Sequence, residues 1–478
     1  MKRFLIWLGI LLLTFAAFLI VRTITYTSNQ DQVTVPSAPA LDSAALARFQ
    51  EAITYRTISY SDSNLLDTAH FAGFRRFLES KYPLVHNAMS RTIVKNYTIL
   101  LRWAGADPAL PPAVLMAHQD VVPIEETTRQ LWAVDPFQGV VKEGFIWGRG
   151  TADDKINLIA ILEACEKLLG EGYRPRRTVY LLFGHDEEVG GSGARAVAES
   201  FRSQGIAPDL VLDEGGIVTR EKVPGIRRNV ALIGTSEKGM LTMSLNVEKG
   251  GGHAAMPEAE TAIDILARAL TRLNENKFEP RFSPSTESFI EHIGPEMPFR
   301  QRIAFANLWL FRPVINKIYE SSNTGNAMIR TTLAPTIINA GIKENVIPTV
   351  AKATLNLRLL PGDSVAMVER KIREIIADDR VRVEIMDARE ASSVTSIDSY
   401  AYTTVDQIVR KTYDSVVATP FLMIAATDSR HFDGVSKGII KFSPMTDPIG
   451  FHGIDERVSV ESFRTSIWFF EQLLRDLK

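Results

Sequence analysis

Three short apolar runs, Ala113–Ala117, Val179–Phe183 and Leu210–Leu212, punctuate the first half of the chain, and each breaks into acidic or histidine residues at its far end. Unbroken apolar runs of this length read as strands buried on both faces. Between the first two, Leu158, Ile161, Leu162, Cys165 and Leu169 recur at helical spacing, with Asp154 near the start and Gly170 near the stop. This alternation predicts an α/β unit, a mostly parallel sheet with helices on both faces. Near Lys238 the pattern changes. Leu241–Val247 alternates apolar and polar residues as a half-exposed strand does, and a helix follows with Ile263, Leu266, Ala267 and Leu270 on one face. A second alternating strand (Ala353–Leu357), a helix (Val365–Ile376) and a strand (Val381–Ile385) complete an α+β unit inserted into the first. The α/β pattern then returns and ends in a helix over Val460–Leu477. The main unit is therefore expected over 41–237 and 388–478, and the inserted unit over 238–387. Residues 282–323 are aromatic-rich, fit neither pattern, and are expected to be an insertion within the smaller unit.

The N-terminus follows a different rule. Phe4–Val21 is an unbroken uncharged run, which as a helix would be about 27 Å long against a bilayer core of ~30 Å. Lys2 and Arg3 precede it, which favours a cytoplasmic N-terminus and an exported remainder. Residues 1–22 are read as a transmembrane anchor and 23–40, polar and without apolar period, as a tether. A cleaved signal peptide is the alternative, and in either case the bulk of the chain is expected to lie outside the cytoplasm. At 478 residues the chain exceeds one ordinary core. A formal net charge of −2 gives no sign of a nucleic-acid surface. The single cysteine, Cys165, excludes an intrachain disulfide framework and a Cys-based zinc site, so any metal must be held by His, Asp and Glu.

The candidate chemistry sits where the strands end. The first runs into His118-Gln119-Asp120, the second into Asp186-Glu187-Glu188 and the third into Asp213-Glu214, with Asp153-Asp154 at the start of the intervening helix. Carboxyl ends of parallel strands share one sheet edge, where ligands bind. Carboxylates gathered there repel one another unless protonated or neutralised by cations. Two divalent ions sharing a carboxylate answer that need, and imidazole with carboxylate and no thiolate suits zinc, with cobalt or manganese as alternatives.

The chain resembles the M20 family of metallopeptidases, and within it the carboxypeptidase S-like branch, from about Leu41 onward. The resemblance rests on MAHQDVVP (116–123), GRGTADDK (148–155), GHDEEVGGSGA (184–194), LDEGG (212–216), GGHAAMP (251–257), TDSRH (427–431) and HGIDERV (452–458), in family order. It implies a zinc-peptidase-like catalytic domain and an inserted lid and dimerisation domain, through which a homodimer would form. By motif, His118, Asp153 and Asp213 would hold one Zn2+ ion. Asp153, Glu188 and His452 would hold the other, with Asp153 bridging. Asp120 would orient His118, and Glu187 would be the general base. His253 matches the residue that helps stabilise the oxyanion, and Asn345 and Arg358 match the pair that meets the substrate. Asp428, Arg430 and His431 match a substrate-side segment. Gln119, and Asn157 in place of a frequent glycine, depart from the pattern without removing a ligand. The implied reaction is hydrolysis of the amide next to a free C-terminal carboxylate, as in a carboxypeptidase. N-acyl-amino-acid amidohydrolysis is the alternative, and a membrane-tethered binding protein without catalysis is a remote one.

Overall fold

The computed structural model describes residues 1–31 and 33–478. Its main sheet has eight strands in the order Ser90–Val94, Thr98–Trp103, Val179–Gly184, Ala113–His118, Leu210–Arg220, Ile439–Thr446, Asn229–Glu237, Val417–Met423. Ala113–His118 runs parallel to both Val179–Gly184 and Leu210–Arg220. The three strand ends singled out from sequence therefore lie side by side on one edge. Alternation along Ala113–His118 explains its complete burial. Leu115 and Ala117 enter the large core beneath helices Lys155–Gly170 and Val460–Asp476, while Val114 and Met116 enter a second core beneath helix Ser192–Gln204. Two faces, each covered, require apolar residues at every position. The expected α/β class is the one observed, and Cys165 is buried in the larger core.

The inserted unit is a four-stranded antiparallel sheet in the order Thr332–Ala340, Val350–Leu359, Gly239–Glu248, Val381–Arg389. Helices Ala262–Glu275 and Val365–Ile376 cover one face. The expected helix face is displaced by one residue. Ala262, Ile265, Leu266, Ala269 and Leu273 are buried, and Ile263 is exposed. Both sets are apolar in part, and the longer i, i+3, i+4, i+7, i+11 series is the one that packs.

Two expectations are corrected. The aromatic-rich stretch packs on the main sheet, not within the smaller unit. Phe289, Ile290 and Ile293 of helix Pro284–Ile293 share a core with Val230 and Val417, and Phe289 meets Phe421 edge to face at 6.1 Å. The segment after the N-terminal helix is also not a free tether. The Gln30 side chain donates to the Ala418 carbonyl at 3.1 Å and accepts from its N–H at 3.0 Å, pairing the open edge of strand Val417–Met423.

Lys238 joins the two units, between strands Asn229–Glu237 and Gly239–Glu248, and is buried. Its Nζ donates to the carbonyls of Ala327 and Arg330, each at 2.8 Å. Burial, assisted by nearby Arg358, pushes its ammonium down to about 7. The unfolded chain then holds a proton that the folded chain lacks between about pH 7 and the ordinary lysine range, so stability rises with pH across that window. Denaturation midpoints at pH 7, 8 and 9 are expected to climb more steeply for the wild type than for Lys238→Met, by up to about 1.4 kcal/mol per pH unit. Parallel slopes would refute this account of Lys238.

Candidate metal centre and catalytic site

His118 closes its strand with the imidazole turned into the sheet edge. Nδ1 donates to the Asp120 carbonyl at 2.9 Å and lies 3.4 Å from the Asp120 carboxylate. That leaves Nε2 facing Asp153 Oδ1 at 2.8 Å and Glu214 Oε1 at 3.3 Å. The other oxygen of Asp153 meets His452 Nε2 at 2.9 Å, and the same nitrogen lies 3.3 Å from Glu188 Oε2. Two three-residue groups result, His118–Asp153–Glu214 and Asp153–Glu188–His452, joined by the two oxygens of one carboxylate.

The electrostatics match a site built for cations. Although burial alone would raise it, hydrogen bonds from His118 and His452 hold the Asp153 carboxyl well below the usual range. Burial, then repulsion from Asp153, pushes Glu214 well up. Burial, then Asp428, does the same to Glu187. Glu188 Oε1 is buried without a hydrogen-bond partner. Each group offers nitrogen and carboxylate oxygen and no thiolate, a donor set that fits a divalent ion such as zinc.

The structure brings together His118, Asp153, Glu188 and His452 as expected from sequence, and it does not bring in Asp213. The Asp213 carboxylate is turned away, accepting from the N–H of Ser429 at 2.7 Å and of Glu214 at 2.9 Å. Its neighbour Glu214 takes the place expected for it. Asp120 does more than face His118. Its carboxylate accepts from the N–H groups of Glu187 (3.2 Å) and Glu188 (3.1 Å) and from Ser59 Oγ (2.6 Å). One buried acid thus sets both the histidine and the Glu187–Glu188 turn. Arg430 lies over the latter, its Nη1 3.3 Å from Glu187 Oε1.

His253 and Asn345 sit together on the inserted unit, where Gly252–His253 pairs with Val346–Ile347 and the Ala254 N–H donates to the Asn345 carbonyl at 3.1 Å. Both are exposed. Arg358 is half-buried on strand Val350–Leu359, opposite Met240, and burial lowers its pKa. Among the described residues, no hydrogen bond or ion pair joins these three to the metal-site cluster.

Two residues, Glu456 and Arg149, carry the site unnoticed by motif reading. Glu456, fully buried, pairs with Arg149 at 2.5 Å and accepts from the N–H groups of Gly150, Ala152 and Asp153, fixing the loop that delivers the shared carboxylate. Asn157, the residue replacing a frequent glycine, ties Asp154 (2.6 Å) to Ser443 (2.9 Å). Glu456 and Arg149 stand inside recognised motifs, and a carboxylate and a guanidinium recurring there was the available signal.

Comparison with known proteins identifies the family. The family model for peptidase family M20/M25/M40 matches residues 114–476. "Probable carboxypeptidase S-like 2" of Dictyostelium discoideum is 37% identical over 98% of this chain and 92% of its own. The "N-fatty-acyl-amino acid synthase/hydrolase PM20D1" of Bos taurus is 35% identical over 98% and 95%. Among solved structures, the M20 family metallo-carboxypeptidase Sso-CP2 from Sulfolobus solfataricus superposes with a TM-score of 0.67 at 15% identity, covering 91% of this chain and 99% of that one. The Bacillus subtilis YXEP protein, described as a dinuclear metal-binding peptidase, superposes at 0.55 with 14% identity, over 91% and 99%. The chain belongs to the M20 family of metallopeptidases, in its carboxypeptidase S-like branch, and is a hydrolytic enzyme.

Proposed function

We propose that the enzyme hydrolyses the amide next to a free carboxylate, with His118, Asp153 and Glu214 holding one divalent ion and Asp153, Glu188 and His452 a second. The observation that carries this is the single Asp153 carboxylate presenting one oxygen to each imidazole. Bound there, zinc would supply a Lewis acid for the scissile carbonyl and acidify water. The protein's own groups do the rest. Glu187 accepts the proton of the attacking water and returns it to the leaving nitrogen. Arg430 engages Glu187 Oε1, so Oε2 is the oxygen that carries the proton. Arg358, half-buried and without a carboxylate partner among the described residues, would clamp the substrate carboxylate in a bidentate pair. Asn345 and His253 would complete the substrate and oxyanion contacts, with His253 reaching the site through the lid or from a second subunit.

Peptides losing a C-terminal residue are the first substrate class. N-acyl amino acids are a second reading, favoured by the name of the bovine relative and by the row of exposed apolar residues on helix Leu308–Glu320. We place the N-terminal helix Lys2–Thr25, 24 residues long and reaching a mean hydropathy of 2.8 over its most apolar 18-residue stretch, across a membrane with the catalytic unit outside the cytoplasm. The test is a hydrolysis screen with zinc supplied, setting dipeptides and short peptides against N-lauroyl amino acids. Activity is expected to disappear with a chelator and return with Zn2+. Chelator-insensitive turnover would defeat the metal assignment, and preference for the acyl substrates would establish the second reading over the first.

A further inference from the structure

Helix Leu308–Glu320 has two apolar sides. Ile315 is buried in the core against the main sheet, while Leu310, Val314 and Ile318 form an i, i+4, i+8 stripe facing outward, with Trp309 beside it. Ile318 is 62% exposed and Trp309 56%, and Phe299 of the preceding helix Phe299–Ala306 is exposed as well. A contiguous apolar surface of this kind marks a contact with something. The N-terminal helix says what that is. The Asn307 amide donates to the Leu19 carbonyl (3.3 Å) and Thr23 Oγ1 (3.4 Å), Arg22 Nε donates to the Ala306 carbonyl (3.4 Å), and Trp309 meets Phe15 edge to face at 6.2 Å. The start of the stripe, at Trp309, therefore lies against the second half of the apolar helix.

Taking Arg22 as the outer boundary of the span, Phe15 lies seven residues inside it, about 10 Å along the axis. Trp309, at the level of Phe15, would sit at the depth of an interfacial amphipathic helix, roughly 5–10 Å. The flanking charges are compatible with this depth. Residues 299–320 carry Arg300, Arg302, Arg312 and Lys317 against one carboxylate, Glu320; Arg312 pairs with Glu287 at 3.3 Å, and long cationic stems can run along apolar surface to a polar headgroup layer.

We infer that helix Leu308–Glu320 is seated in the outer leaflet of a lipid bilayer, so that the enzyme rests on the membrane through two elements and does not swing on a tether. The inference depends on the N-terminal helix being a retained anchor. Gln30 bound to strand Val417–Met423 shortens the free connection further. An amphiphilic substrate would partition into the same leaflet as the seated helix.

Cys165, the only cysteine, is buried, so a cysteine introduced on the surface can be spin-labelled alone. The full chain would be reconstituted into phosphatidylcholine–phosphatidylglycerol vesicles as Leu12→Cys, Val314→Cys, Ile318→Cys or Ile342→Cys, all positions exposed in the fold. Hydrolysis of a water-soluble substrate verifies that each is intact. Labels at 314 and 318 are expected to collide several-fold more with oxygen than with an aqueous nickel chelate, as at 12 and unlike 342. If 12 reads as lipid while 314 and 318 read as water, the anchor stands and the seating is wrong. If 12 also reads as water, both fall. Dipolar broadening at 318 that vanishes on dilution with unlabelled protein would show a second copy on the stripe and would equally overturn the proposal.

Discussion

Glu187→Gln is expected to lower kcat by about 10²–10⁴-fold, the usual contribution of a positioned acid–base group, while leaving the metal content of the purified enzyme unchanged. Neither three-residue group includes Glu187, so the substitution removes a proton acceptor and spares the donors. The amide keeps an oxygen for the Arg430 contact at 3.3 Å. Stability should move the opposite way. Burial, then Asp428, pushes the Glu187 carboxyl well above its ordinary range, so at neutral pH burying this acid, ionised or by taking up a proton, costs the metal-free folded state free energy. A neutral amide removes that cost, and the metal-free variant should melt above the metal-free wild type. Equal turnover by variant and wild type would remove Glu187 from the mechanism. Lost turnover with lost metal would make it a ligand instead.

How much of this could be read from sequence depends on the range of the interaction. The three strands were legible because a strand covered on both faces must be apolar at every position, and the helix between them because its spacing is that of one turn. Strand ends then placed His118, Glu188 and Asp213-Glu214 on one edge before any contact was known. What failed to read out was parity and distance. Successive residues of a strand face opposite ways, so a motif containing Asp213 and Glu214 does not say which one turns toward His118. The Arg149–Glu456 pair joins positions 307 residues apart, and nothing local announces it. Helix Leu308–Glu320 resisted assignment for another reason. Its two apolar sides serve different environments, so no single polar face sets a period.

Parity makes the sharpest separable prediction. Glu214→Gln is expected to reduce bound metal from two ions per chain to one and to lower kcat/KM by more than about 100-fold, because a group made by His118, Asp153 and Glu214 loses a charged donor. Asp213→Asn should keep two ions. Its carboxylate instead accepts the N–H of Glu214 at 2.9 Å and of Ser429 at 2.7 Å, tying strand Leu210–Arg220 to the 427–431 segment that carries Arg430. An asparagine can accept one of those bonds but turns a donor toward the other. The expected cost is about 1.5–3 kcal/mol of stability for the charged hydrogen bond and a 10- to 100-fold loss in metal affinity or activity, as for other groups that orient ligands. Metal analysis of the two variants after gel filtration, beside their melting temperatures, separates the roles. Loss of an ion from Asp213→Asn with both retained by Glu214→Gln would restore the assignment that the motif alone suggested.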